Sequence, residues 1–254
     1  MKIIVCIRQV PVRDSQLRVD AGGAWIDESD LSFEINEPDA YALEEALQLR
    51  EKHGGEVIVV CAGPARATQT IREALAKGAD RAIHIEIEKV HRRDTLSLAG
   101  VLAEAIRPEQ PDLIVTGLQS DDLGYGQTGV VLAELLGLPQ ATIVMQVEKT
   151  DAGVRVKREL EDGWFQHVEM PLPALVTIQS GINKLRYATL MGIKRAKTKE
   201  IRAVQPAGTP EAPCATIERV YAPRKSKQTR MLEGNPREAA AKLVEKLRFE
   251  ARVL

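Results

Sequence analysis

Cysteine is scarce in this 254-residue chain, where Cys6, Cys61 and Cys214 form an odd, widely spaced set with no CxxC pair. That excludes a disulfide framework and argues against a structural zinc site. The histidines, His53, His84, His91 and His167, are equally scattered and offer no metal cluster. An excess of one charge is missing too: Lys+Arg 35 against Asp+Glu 36 leaves a formal net charge of −1. This balance speaks against a dedicated nucleic-acid or membrane-surface protein. No apolar stretch reaches the length that spans a bilayer, and the N-terminus opens on a strand rather than a signal peptide, so the expected compartment is the cytoplasm, with no membrane insertion. The P-loop GxxxxGK[ST] does not occur in the glycine-bearing loop described next.

What is present centres on residues 111–137, PDLIVTGLQSDDLGYGQTGVVLAELLG. Residues 113–116 are apolar and β-branched, and residues 128–136 are apolar on nearly every face, so the pair predicts a buried strand feeding a buried helix. The loop between them contains Gly117, Gln119, Asp121, Asp122, Gly124, Tyr125 and Gly126. Its glycines allow a tight turn close to a ligand, and the free amides where the helix starts, near Gln127 and Thr128, point at it. A helix N-terminus holds a phosphate in this way. No lysine follows to meet a γ-phosphate, so the expectation is a mononucleotide held without phosphoryl transfer. An ordinary strand-to-helix turn accounts for the same residues.

Along the chain, residues 2–10 predict a central parallel strand stopped by Pro11. Residues 13–31, with Gly22-Gly23, predict a small hairpin at the sheet edge. Asn36 as N-cap, Pro38 in the first turn and Gly54-Gly55 at the stop define a helix with Ala40, Leu43, Ala46 and Leu47 inward and Glu44, Glu45 and Gln48 outward. Strands at 56–61, 80–87 and 113–116 alternate with helices at 66–77, 95–106 and 128–136. Alternation of this kind builds a Rossmann-like α/β fold, a doubly wound and mostly parallel sheet with its ligand crevice at the C-terminal strand ends. Beyond Pro139 the period changes to two: strands at 141–148, 154–160 and 164–170 predict an antiparallel β-meander at one edge, followed by a buried strand at 173–179. Residues 180–201 carry Arg186, Lys194, Arg195, Lys197 and Lys199 around Tyr187, Leu190 and Met191, in the pattern of a solvated basic helix. Residues 1–204 are thus expected as a nucleotide-binding domain and 205–213, QPAGTPEAP, as a Pro-rich linker. Residues 214–254 form an extended C-terminal arm with one amphipathic helix at 236–249, which packs on its own domain or clasps a partner chain.

Across nearly its whole length the sequence resembles the β subunit of electron transfer flavoprotein. The family's signature segment is matched by VKRELEDGWFQHVEMPLPALVT at 156–177, and further matches are the opening strand with Cys6 and Arg8, NEPDAYALEEALQL, VVCAGPA, ALAKGAD, QTG and RYATLMGIKRAK. The resemblance implies a non-catalytic electron carrier, paired as a heterodimer with an electron transfer flavoprotein α subunit. The α subunit holds most of a redox FAD, and AMP serves as a structural nucleotide in this chain. It implies electrons taken from flavin dehydrogenases of the acyl-CoA dehydrogenase type and passed to a quinone oxidoreductase acceptor. By the same resemblance AMP is lined by Cys6, Asn36, Cys61, Ala62, Gly63, Asp122, Gln127 and Thr128. Leu190, with Tyr187, Met191 and Lys194 around it, is similar to the family's dehydrogenase-docking loop. Electron-bifurcating relatives hold a second FAD in place of AMP and oxidise NADH; they carry an Asp-Thr pair at the head of the third helix, here Asp94-Thr95. A stand-alone ATP-binding domain is the third alternative.

Overall fold

The computed structural model describes residues 1–206, 213–223 and 229–254 and divides them into two compact units, Met1–Val220 and Tyr221–Leu254. In chain order the first unit contains β1 (Lys2–Ile7), β2 (Gln9–Pro11), β3 (Phe33–Ile35), α1 (Glu37–His53), β4 (Glu56–Gly63), α2 (Ala67–Lys77), β5 (Arg81–Glu86) and α3 (Thr95–Ile106). It continues with β6 (Leu113–Gly117), α4 (Thr128–Leu136), β7 (Gln140–Lys149), β8 (Val154–Glu159), β9 (Phe165–Met170), β10 (Ala174–Ile178), α5 (Leu190–Ala196) and β11 (Ile201–Val204). The main sheet runs β11-β5-β4-β1-β6-β10-β7-β8-β9, parallel as far as β7 and antiparallel through the last two strands. This is the doubly wound sheet with an edge meander that the sequence predicts. The chain leaves β1 toward β4 and β5 on one side and returns to β6 on the other, so the crevice of such folds lies where the direction reverses, beside β1 and β6.

Strand periodicity divides the core between two faces. Ile3, Val5 and Ile7 of β1 pack with Val57, Val59 and Cys61 of β4 against α1 and α2. Ile4 and Cys6 pack with Ile58 and Val60 against α3 and α4. Burial of these branched side chains on both faces is what sustains so long a parallel sheet.

Several expectations need correction. The opening strand is not continuous to Val10: it breaks at Arg8, and Gln9–Pro11 pairs instead with Phe33–Ile35 in a separate ladder, with Pro11 at its end. The excursion between those two strands folds into a small hairpin bridged at Val19 and Ile26. Glu44 and Glu45 are buried rather than outward, because residues 183–186 lie over them. Helix α4 is buried only at Gly129, Leu132 and Ala133, and Leu135 is exposed. The basic segment is a short α5 followed by an unforeseen edge strand, β11. Lys199 is not solvated, since its ammonium donates to the carbonyls of Leu75 and Ala79.

The unit boundary at Val220/Tyr221 also differs from one at 213/214. Cys214 and Ala215 donate their amides to Asp94 Oδ2 and so belong with the first unit. Most of the expected linker, 207–212, lies outside the described residues. In the second unit, α6 (Pro236–Phe249) begins with a capping box between Asn235 and Glu238. Leu243, Val244 and Phe249 of this helix are exposed, and none of its residues is buried. No helix among the described residues is long and apolar enough to cross a membrane.

Candidate functional site

The C-terminal ends of β1 and β6 open into a cleft on the α3/α4 face of the sheet. Cys6, Asn36, Ala62, Asp94, Thr95 and Gly117 line it, together with Gln119, Tyr125, Gly126, Gln127 and Thr128. Four residues expected at the ligand are not among those lining the cleft. Cys61 points to the opposite face, into the core with Val59. Gly63 is a backbone anchor: its carbonyl accepts from the Ile87 amide and lies 3.1 Å from His84 Nε2. Asp122 is gripped by Arg8, and Gly124, with φ of 66°, shapes the loop turn that its amide closes on Ser120.

The loop over the cleft is fastened to the start of α1. Asn36 precedes that helix without capping it. Its Nδ2 donates to the Gln119 carbonyl at 2.9 Å and its Oδ1 accepts from the Asp121 amide at 2.8 Å, so both ends of the amide are engaged within the chain. Asp121 in turn accepts from the Glu37 amide. Arg8 meets Asp122 through Nε at 2.9 Å and Nη2 at 2.6 Å, a two-point contact. Burial alone would raise the Asp122 pKa, but the Arg8 hydrogen bonds and charge leave it lowered.

Asp39, which sequence reasoning passed over, sits beneath this loop. Its Oδ2 accepts from the Arg8 amide at 2.8 Å and its Oδ1 from the Gly117 amide at 2.9 Å, joining the ends of β1 and β6 to α1. Burial pushes its pKa up to about 7 against those two hydrogen bonds. A Cβ on Gly117 would lie 2.4 Å from Asp39 Oδ1 and 2.7 Å from Pro38. Glycine is therefore required there for the approach of α1. Burial, with the Asp39 charge adding to it, holds the Cys6 thiol far above its ordinary pKa, so it is no thiolate nucleophile.

Other groups in the cleft remain open. Among the described residues, the side chains of Thr95, Gln119, Gln127 and Thr128 have no hydrogen-bond partner within the chain, and no side chain caps the N-terminus of α4. A Cβ on Gly129 would come within 2.7 Å of Thr116 Oγ1 and of Thr177 Cγ2, which explains how this helix end sits so close to the strands. Asp94 is different: Oδ1 caps α3 through the Ser97 amide at 2.8 Å, and Oδ2 accepts from Cys214 at 2.6 Å and Ala215 at 3.1 Å. These amides, that of Ser97 foremost, lower its pKa. Arg93, one residue before that cap, also lines the cleft and donates to Ser97 Oγ at 3.0 Å. Its signal in the sequence was a cation just ahead of a helix start.

A family model of the electron transfer flavoprotein domain matches residues 24–208. The electron transfer flavoprotein subunit beta of Methylophilus methylotrophus is 37% identical over 258 residues, 96% of this chain and 97% of that protein. That of Bacillus subtilis (strain 168) is 37% identical over 92% of this chain and 90% of its own length, and that of Bradyrhizobium diazoefficiens 40% identical over 79% and 80%. The chain belongs to the electron transfer flavoprotein β-subunit family.

A second region of this β-subunit-family chain departs from ordinary surface composition. Tyr187 and Leu190 are 92% and 88% exposed, and Met191 and Ile193 stand exposed beside them. Leu190 is thus not a core residue. Thr189 caps α5 by accepting from the Gly192 amide at 3.0 Å, while Arg72 Nη1 donates to the carbonyls of Ala196 and Lys199. The apolar tip is carried on a seated base, with Lys194 exposed next to it. Among the described residues no group of His, Cys, Asp and Glu is arranged to hold a metal ion.

Proposed function

We propose that this chain works as the β half of an electron carrier, with an FAD-bearing α subunit, and binds AMP in the cleft as a structural nucleotide. The observation that carries the nucleotide reading is the convergence of uncapped α4 amides with the unpaired side chains of Thr95, Gln119, Gln127 and Thr128. Such groups suit a phosphate and the polar edges of a nucleoside. Asn36 and Asp122 would act indirectly, by shaping the loop, since the chain itself engages their polar atoms. Tyr125 stands at the mouth, where its ring could cover a base.

The redox chemistry would come from the FAD of the α subunit; this chain's residues bind, orient and dock. Leu190, framed by Tyr187, Met191 and Lys194, would present an apolar anchor with a basic rim to a flavin dehydrogenase of the acyl-CoA dehydrogenase type. The exposed apolar side of α6 suits the α subunit. The electrons would then pass to a quinone-reducing acceptor. A second FAD in the cleft, as in bifurcating relatives that oxidise NADH, draws support from the open Thr95 hydroxyl. Against it stands Asp94, whose two carboxylate oxygens already accept backbone amides.

Nucleotides released from the purified heterodimer decide between the two. One FAD with one AMP per heterodimer is the expected result; two FAD with no AMP would transfer the cleft to the second reading. Deletion of Tyr221–Leu254 should abolish co-purification with the α subunit, and an undiminished complex would remove the clasp.

A further inference from the structure

Arg186 lies four residues before the exposed Leu190 and reaches back onto α1. Its Nε donates to Glu44 Oε2 at 2.7 Å and its Nη2 to Glu44 Oε1 at 3.0 Å, while Nη1 donates to Glu51 Oε1 at 2.6 Å. The backbone amide of Arg186 also reaches Glu44 Oε2, at 3.3 Å. The Glu44 side chain is only 5% exposed, that of Glu51 50%. One guanidinium therefore holds two carboxylates spaced two helical turns apart, a geometry that a planar fork of five donors can satisfy and an ammonium cannot. Beside it, Asn183 Nδ2 donates to the Tyr41 carbonyl and to Glu45 Oε2.

The other side of Leu190 is fixed differently. A Cβ on Gly192 would lie 2.3 Å from the Ala76 carbonyl, so the first turn of α5 rests directly on the end of α2. Between these anchors, Tyr187, Leu190 and Met191 face solvent. Held at both ends, the segment keeps its apolar tip outward instead of collapsing onto the sheet, and little ordering is left for an encounter to impose.

We propose that Arg186 is the positioning residue of the dehydrogenase-docking surface, clamping the segment to Glu44 and Glu51 so that Leu190 is presented in a fixed place. The proposal rests on the docking role given to Leu190 above, and the test separates the two. It uses the complete αβ heterodimer, with steady-state electron transfer from a medium-chain acyl-CoA dehydrogenase at varied heterodimer concentration, and amide hydrogen exchange over residues 183–192.

Arg186→Ala should raise KM about tenfold, in line with the loss of one good anchor, with kcat at saturation and nucleotide content unchanged and faster exchange confined to the segment. Arg186→Lys should recover only part of the KM. Glu51→Gln, which loosens the exposed half of the clamp and leaves Glu44 paired, should raise KM about two- to threefold; it serves where Arg186→Ala fails to fold. Leu190→Ala should raise KM without altering exchange. Wild-type KM in both Arg186→Ala and Glu51→Gln, or in Glu51→Gln alone where the alanine variant does not fold, overturns the clamp provided Leu190→Ala raises it. If Leu190→Ala leaves KM unchanged, the docking reading itself falls and the positioning role falls with it.

Discussion

The loop over the cleft and the docking segment are both fastened to α1, and they use their side chains in opposite ways. Around the loop, Asn36, Asp122 and Gly117 are of the types expected at a ligand, yet they build the wall: two hold the loop through the chain's own donors and acceptors, and the third makes room for a helix. In the docking segment the residues of the type that fills cores, Leu190 and Met191, stand in solvent, while Arg186 and Lys199 turn inward. Residue type predicts location only where hydrophobic burial decides the outcome. Where a backbone must be held at a chosen distance from a neighbour, charged and polar groups take the interior, because a buried donor or acceptor needs a partner.

The contrast can be broken most severely at the glycines. Gly117→Ala should destabilise the chain by about 3 kcal/mol, since backbone and a buried carboxylate both stand in the way of the new methyl; chemical denaturation measures this, and a cost near zero would mean that α1 can retreat. Gly192→Ala, its counterpart in the docking segment, should cost about 2 kcal/mol and raise the dehydrogenase KM without touching an exposed contact.

Asp122→Asn should have the smallest effect, about 1 kcal/mol, because the Arg8 pair is partly solvated. Its sign follows from the depressed pKa of Asp122. The wild-type contribution is complete above the unfolded carboxylate value of 3.8 and is lost as pH falls through the lower folded value. The gap between wild type and Asp122→Asn should therefore close in strong acid, and a gap that widened there would refute the stabilising role of the Arg8–Asp122 pair.

The regular elements were legible because their signals are local. Helix α3 begins at the residue after its Asp94 cap, α4 spans 128–136, and α6 starts at Pro236 behind its capping box, each where sequence spacing put it. What sequence hid was long in range. Glu44 looks like a solvent-facing helix residue until Arg186, 142 positions away, arrives to pair with it. Gly117 looks like a ligand-loop glycine because nothing nearby in sequence shows that Pro38 and Asp39 will press against it. The strand β11 was missed because four residues after a run of lysines carry too little periodicity, and it is the open edge of β5 that recruits them. The cleft itself was legible at the level of which strand ends form it. Which side of the sheet it opens on, and hence that the Cys61 side chain points to the opposite face, required the parity of β4.

Helix α1 also sets a gauge. Its first turn is seated under Gly117 and its side facing residues 183–186 grips them through Glu44, Glu45 and Glu51. A single residue inserted between Asp39 and Glu44 would advance the latter part of the helix by about 1.5 Å and swing it by about 100°. Glu44 would then face away from Arg186 while Asp39 stayed in place. Loops elsewhere in this chain can lengthen at small cost, but the count of residues from Asp39 to Glu51 is fixed, because it is the spacer that meters how far the docking tip stands from the cleft.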